Sequence, residues 1–306
     1  PSFRCGSVAL IGRPNVGKST LLNAFLGEKL AIVSKRPGTT RCRILGVLTT
    51  PEAQLLFLDT PGYASTKTLL DKRLLRTVRG VLEEAEVCVL ITDAAQGWTA
   101  ADQQLASLLP KESILVINKI DKIAKAKLLP QIEAASKATP FSEIIPISAA
   151  TRDGFDLLLG KMAQQLPVHP AVFPKEFRTD LSVRFLAEEL IREQWLQVAY
   201  QEVPHAVAVF VEEFQERRKK TTRRVRGHQK RGPSTLMSYV RATVVVERPT
   251  QKAILVGAKG ERLKTVGTQA RKSLELLVGQ PVFLDLWIKV WPRWREDPTA
   301  LKRLGY

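Results

Sequence analysis

Gly12-Arg13-Pro14-Asn15-Val16-Gly17-Lys18-Ser19-Thr20 decides how the first half of this chain is read. Its spacing, G-x-x-x-x-G-K-[ST], is that of a phosphate-binding loop. The apolar run Val8-Ala9-Leu10-Ile11 leads in as a strand, and Leu21-Leu22-Asn23-Ala24-Phe25-Leu26 leads out as the opening of a helix. A glycine loop between a strand end and a helix N-terminus offers backbone N–H groups and the positive end of the helix dipole to an anion. In that setting Lys18 reaches the β- and γ-oxygens of a nucleotide, and the Ser19 hydroxyl ligates Mg²⁺.

Outward from the loop, short apolar runs alternate with helical stretches as far as about Leu166. Strands are expected at Val8–Ile11, Ile44–Leu48, Leu55–Leu58, Val87–Ile91, Ile114–Ile117 and Ile144–Ile147. Helices are expected near Lys18–Leu26, Leu69–Glu84, Ala101–Leu109, Leu128–Ala138 and Gly154–Leu166. This is the grammar of an α/β, doubly wound sheet, which binds ligands at the carboxyl ends of its strands.

Three further motifs fall at such ends. Asp59-Thr60-Pro61-Gly62 closes Leu55–Leu58. The Asp59 carboxylate there can hold the Mg²⁺ shell, and Gly62 can offer its N–H to a γ-phosphate. The same four residues also make a good turn, so position rather than composition favours the functional reading. Asn118-Lys119-Ile120-Asp121 follows Ile114–Ile117. The Asp121 carboxylate can accept from both N1–H and the exocyclic amine of guanine, a donor pair that adenine lacks. Ser148-Ala149-Ala150 follows Ile144–Ile147 and would present a backbone N–H to the guanine oxygen. GTP and GDP are therefore the expected ligands.

With these motifs in this order, the chain resembles the translation-factor-class GTPases. The resemblance implies a fifth element in Pro37-Gly38-Thr39-Thr40-Arg41, with Thr40 sensing Mg²⁺ and Thr39 as the alternative. Either threonine reaches the metal only when a γ-phosphate is present, which makes the loop from about Ala31 to Arg43 an order–disorder switch. Ras-like enzymes place a water-orienting Gln directly after the motif glycine; here that position is Tyr63, so the glutamine cannot be carried over. The catalytic set is then Lys18, Asn15, Thr40 and Gly62, with slow turnover. Asn15 resembles the residue that, in one branch of these GTPases, helps bind K⁺ beside the phosphates.

The composition supports a globular protein with room for two cores: 306 residues, 44% hydrophobic and 25% charged. No apolar run approaches the roughly 18 residues that span a bilayer. The chain starts at Pro1 without Met, which leaves room for a removed presequence and an organellar matrix beside the bacterial cytoplasm. Cys5, Cys42 and Cys88 are scattered and read as free thiols. His169, His205 and His228 are isolated, which argues against a His-based metal site. The net charge of +17 is lopsided. Residues 1–170 hold 21 Lys+Arg against 15 Asp+Glu, and residues 171–306 hold 26 against 15. The excess points to a polyanionic partner for the second half.

A proline-rich stretch begins at Pro167, and residues 169–180 read as a linker between a G domain (1–168) and a second domain (181–306). Leu181–Tyr200 reads as an amphipathic helix, Ala206–Val211 and Tyr239–Glu247 as strands, Gln251–Val256 as a helix. Gly257-Ala258-Lys259-Gly260 then leads into a helix from Glu261 to about Val278 and a strand over Val282–Val290. G-x-x-G between two helices in this order resembles the loop of a KH domain, which clamps about four nucleotides of single-stranded RNA. The resemblance assigns RNA contact to Gly257, Ala258, Lys259, Gly260, Arg262, Lys264 and Arg271.

The two halves together resemble the ribosome-assembly GTPases that join a G domain to a C-terminal KH domain. What this implies is binding of the 3′ end of small-subunit rRNA, on a monomer that assists assembly of the small ribosomal subunit. Two departures stand out. Gly38 sits where Gln is expected, and residues 215–231 hold nine Lys/Arg and one Glu in what reads as a loop. That loop favours contact with RNA backbone. Trp287 is expected in the core, with Trp291 and Trp294 left open. Two other readings use the same residues: a non-catalytic RNA clamp sensing GTP or GDP, favoured by Tyr63, and a peripheral membrane GTPase holding anionic lipid through the basic loop.

Overall fold

The structure is a computed structural model that describes residues 2–34, 39–62, 68–198, 206–225 and 228–306, with side chains described outside 219–235. The chain divides into two compact units, one running to Leu181 and one covering Ser182–Gly305.

The first unit is a six-stranded sheet in the order β2-β3-β1-β4-β5-β6. Its strands are β1 (Arg4–Ile11), β2 (Ile44–Thr49), β3 (Ala53–Asp59), β4 (Val87–Asp93), β5 (Ile114–Asn118) and β6 (Glu143–Pro146). All pairs are parallel except the β2–β3 hairpin at the edge. Parallel strands covered on both faces read as continuous apolar runs, and every residue of β4 is buried accordingly. Along β1 the alternation splits the core in two. Val8 and Leu10 face α1 (Lys18–Leu26) and α5 (Phe155–Gln165), packing with Leu21, Phe25, Leu158 and Met162. Ala9 and Ile11 face α2 (Leu69–Glu84), α3 (Ala100–Ala106) and α4 (Leu128–Ala138), packing with Val78, Val81, Leu105 and Ala135.

The register pairs Leu10 with Asp59 and Asp93 with Asn118, so the strand ends that carry motifs lie along one edge of the sheet. The 169–180 segment, expected as a linker, is strapped onto this unit. Gln54 accepts from the Val172 and Phe173 N–H groups and donates to Phe173 O, while Val47 N–H donates to Arg178 O. These bonds satisfy main-chain groups on a stretch that a free linker would leave to water.

The second unit is a three-stranded sheet, β7 (Ala208–Val225), β8 (His228–Val246) and β9 (Val282–Val290), in that order. Strands β7 and β8 are antiparallel, and β9 is parallel to β8. Helices α6 (Val183–Val198), α7 (Pro249–Val256) and α8 (Glu261–Val278) supply Ile191, Trp195, Leu255, Val266 and Leu274 to a core shared with the sheet. A short α9 (Pro298–Arg303) follows.

Two expectations are corrected here. The basic 215–231 stretch is, in its described residues, paired strand: Gln215 pairs with Tyr239 and Val225 with His228. Main-chain pairing asks nothing of side-chain polarity, so apolar runs are too short a guide to these strands. Trp287 is 54% exposed, whereas Trp294 is fully buried and donates from Nε1 to Ala206 O at 2.9 Å. The period of two explains the first: Val282 and Ile288 point into the core, which turns Phe283 and Trp287 outward.

Candidate functional site

The loop after β1 ends at Gly17, whose φ of 106° is left-handed and whose missing side chain leaves room for Asn118 Nδ2. Asn118 is 1% exposed and joins three stretches. It donates from Nδ2 to Val16 O at 2.8 Å and accepts at Oδ1 from Lys119 N (2.7 Å) and Ala149 N (3.0 Å). Lys119 Nζ donates to Asn15 O at 2.5 Å and pairs with Asp93 Oδ2 at 2.6 Å. Asp121 Oδ1 accepts from Ser148 Oγ at 2.6 Å. Ser148 N–H donates to Asp153 O. The Ala149 N–H is taken by Asn118, so of the three residues it is Ala150 whose N–H has no acceptor among the described residues.

Beneath the loop, Lys18 Nζ donates to Gly12 O and Arg13 O, both at 3.0 Å. Ser19 Oγ donates to Asp59 Oδ2 at 2.8 Å and lies 3.0 Å from Thr40 Oγ1. Burial pushes the Asp59 carboxyl up to about 6, against the pull of Lys18 and the Ser19 hydrogen bond. Burial likewise brings the Lys18 ammonium down to about 8, against the opposing effect of Asp59. Asp59 Oδ1 is buried without a hydrogen-bond partner among the described residues. Two hydroxyls and one carboxylate, with one of its oxygens orphaned, form a hard-oxygen donor set that suits Mg²⁺.

Thr60 donates to Leu10 O at 2.9 Å, and Gly62 lies against Pro14 of the phosphate loop. The Arg13 side chain is directed elsewhere: its guanidinium pairs with Asp102 at 2.7 Å and donates to Gln96 at 2.7 Å. Thr20 is half-buried on α1. Pro37, Gly38 and Tyr63 lie outside the described residues. Asp93, which holds Lys119, and Asp102, which holds Arg13, were not singled out from the sequence. Their signal is faint: a carboxylate at the end of β4, and Thr99-x-x-Asp102 as a helix-capping box. Among the described residues there is no cluster of three His, Cys, Asp or Glu that could hold a metal, and no helix long and apolar enough to cross a membrane.

In the second unit α7 ends at Gly257, with φ 73° and ψ 177°, where a Cβ would come within 2.8 Å of Arg262 Cβ. Lys259 is left-handed at φ 49°, and Gly260 caps α8. Ala258, Lys259 and Lys264 are exposed. Arg262 Nη1 instead donates to Ile254 O at 2.6 Å, and Arg271 pairs with Glu275 at 3.2 Å.

Fold and site define a class: a P-loop GTPase domain joined to a KH domain. Residues 7–119 match the model of the 50S ribosome-binding GTPase family, and residues 235–295 match that of the KH domain. GTPase Era of Syntrophus aciditrophicus is 40% identical over 307 residues, covering 99% of this chain and 95% of that one. GTPase Era of Aquifex aeolicus is 40% identical over 314 residues, covering 99% of both chains. A crystal structure of Era in complex with MgGDPNP and nucleotides 1506–1542 of 16S ribosomal RNA matches with a TM-score of 0.90 at 40% identity, over 99% of both chains. That of a tyrosine-to-alanine variant of Aquifex aeolicus Era bound to GDP·AlF4⁻ matches with a TM-score of 0.89 at 39% identity, again over 99% of both. This chain belongs to the Era family of GTPases.

Proposed function

We propose that the chain hydrolyses GTP slowly and, through its KH unit, binds the unpaired 3′ end of small-subunit rRNA during assembly of the small ribosomal subunit. Its place would be on the maturing subunit in the cytoplasm. The convergence of Ser19, Thr40 and Asp59 beside Lys18 carries the reading, since these groups come from three separate stretches and suit one metal–phosphate centre. Kinship with a chain crystallised with MgGDPNP and rRNA supports it.

In this account Lys18 leaves its carbonyl partners for the β- and γ-phosphates, and Ser19, Thr40 and Asp59 hold Mg²⁺ directly or through water. Mg²⁺ supplies charge neutralisation on the phosphate oxygens. Thr40 gives the switch loop a reason to order with GTP and release with GDP. Gly62 N–H reports the γ-phosphate, and the loop N–H groups of residues 13 and 15–20 cradle the rest. Asp121 reads guanine, supported by Asn118, Lys119 and the Ala150 N–H. Asn15 and a K⁺ ion would take the part of an arginine finger. On the RNA side, the G-x-x-G backbone, Lys259 and Lys264 meet phosphates; Arg262 holds the loop in shape and Arg271 is shared with Glu275.

The test uses the full chain. Lys18→Ala should lower GTP turnover at least about hundredfold, and Gly260→Asp should abolish binding of the single-stranded oligonucleotide while leaving intrinsic turnover intact. Turnover unaffected by the first change, or RNA binding unaffected by the second, would contradict the assignment.

A further inference from the structure

The sheet of the second unit narrows at one end. Strand β9 joins β8 only from the Val282↔Ser238 pair onward, so Arg217–Val225 and His228–Met237 pair with each other alone among the described residues. They form an antiparallel ribbon from Arg217↔Met237 to Val225↔His228, about 30 Å long at roughly 3.4 Å per residue. Its one irregularity lies between Lys220↔Ser234 and Thr222↔Arg231. Gly232 and Pro233 fall there, where a residue without an N–H does least harm to the ladder.

The ribbon's root is firmly built. Arg217 pairs with Glu213 at 2.6 Å and sits 3.7 Å above the Tyr239 ring, which stacks on Phe283. Gln280 donates to Ser238 Oγ at 2.7 Å and Glu216 Oε1 at 3.2 Å. Beyond the root the charge is of one sign. Arg218, Lys219, Lys220, Arg223 and Arg224 follow on β7, Lys230 and Arg231 on β8, and neither paired segment contains Asp or Glu. Arg223 stands directly opposite Lys230, a like-charge pair that weakens a ladder. A lysine or two would blunt the exposed edges. Self-repulsion at this density makes sense with a polyanion as partner.

Position separates this partner site from the G-x-x-G loop. Helix α8 starts just after Gly260 and ends at Gly279, a run of about 27 Å, and Gln280 at its far end is bound to the ribbon's root. A KH loop holds about four nucleotides, so the ribbon lies beyond that strand's reach. Two basic strands paired at a fixed backbone register suit an A-form duplex, which proteins grip through shape and phosphates.

We propose that the β7–β8 ribbon is a second RNA-binding arm, gripping the sugar–phosphate backbone of duplex RNA that flanks the single strand held by the KH loop. The proposal rests on the RNA-binding reading of this unit but not on the G-x-x-G contacts themselves. Two full-length variants test it. One replaces residues 219–235 with Asn-Gly, joining the paired Arg218 and Leu236 by a two-residue turn. The other keeps the ribbon and changes Lys219, Lys220, Arg223, Arg224, Lys230 and Arg231 to Gln. Affinities for an RNA hairpin of unrelated sequence, for a single strand copying the rRNA 3′ end, and for phosphatidylserine vesicles are measured across KCl concentrations. Both variants should bind the hairpin at least about tenfold more weakly at roughly 0.15 M salt, with a salt slope flatter by about 0.9 for each phosphate that the arm no longer neutralises. Single-strand affinity should hold within about threefold. Unchanged hairpin affinity and slope, or weakening confined to vesicles, would overturn the arm. Weaker hairpin binding in chains that never bind the single strand would uphold the arm and instead remove the KH-loop assignment.

Discussion

Ser19 Oγ donates to Asp59 Oδ2 at 2.8 Å across 40 residues of chain, closing the space in which the two side chains would share Mg²⁺. The bond draws the first turn of α1 to the end of β3. Asp59 is nevertheless an uncomfortable residue, with one oxygen unpartnered among the described residues and its carboxyl raised by burial.

That discomfort predicts a pH effect. The Asp59 carboxyl, raised from 3.8 to about 6, keeps a proton in the folded nucleotide-free protein that the unfolded chain gives up. Its contribution to stability is full below about pH 4 and is lost as pH rises through about 6. Asp59→Asn should therefore stabilise the nucleotide-free protein at pH 7 by ~3 kcal/mol, remove its share of the pH 4–6 slope, and abolish Mg²⁺-dependent GTP binding. Thermal unfolding of both proteins from pH 4 to 7.5 checks this; equal stability at pH 7 would contradict it.

Base choice depends on Asp121, whose Oδ1 already accepts from Ser148 Oγ at 2.6 Å. Asp121→Asn loses charge-assisted acceptance from guanine, about 3 kcal/mol and hence roughly a hundredfold in GTP affinity. The same amide can donate to the second carbonyl of xanthine, so XTP affinity should rise. Competition of the two nucleotides against a fluorescent analogue measures both; unchanged selectivity removes Asp121 as the base reader.

Asn118 makes its three hydrogen bonds inside the protein. Asn118→Ala should thus destabilise even the nucleotide-free chain, by about 2–4 kcal/mol. A calorimetric scan without nucleotide reads this directly, and an unshifted melt would show that the buried amide matters only to the ligand.

Two tryptophans on neighbouring stretches should behave oppositely. Trp294→Ala removes a fully buried indole and its bond to Ala206 O, which should cost about 3–5 kcal/mol. Trp287→Ala removes an exposed ring and should change stability by less than about 0.5 kcal/mol. Urea unfolding of each variant separates them.

Equal GTP turnover in K⁺ and Na⁺ would remove the ion from the mechanism. The account expects K⁺ to be the faster, with Asn15→Ala losing the difference; steady-state phosphate release in each salt decides it.

What was legible in the sequence follows from which residues carry their own signal. Val8–Ile11 and Ile114–Ile117 are buried on both faces and announce their strands, and the motifs beside them mark the residues that the sheet brings to one edge. Asp93 and Asp102 were silent because a single carboxylate has many uses, and only the fold shows that they hold Lys119 and Arg13. The β7–β8 ribbon was hidden because Lys, Arg and Thr in a two-stranded arm leave no alternation of apolar and polar residues to find. Trp287 misled for a related reason: its apolar bulk suggested burial, while the register of Val282 and Ile288 turned it outward.

With a switch loop that Thr40 orders only when GTP is bound, we propose further that nucleotide state governs RNA binding. The most direct measurement is the affinity of the full chain for a single-stranded oligonucleotide copying the small-subunit rRNA 3′ end, at fixed salt, loaded first with a non-hydrolysable GTP analogue and then with GDP. The account predicts clearly tighter binding in the GTP-like state. Equal affinity in the two states would contradict it, leaving a GTPase and a KH module that share a chain without a switch.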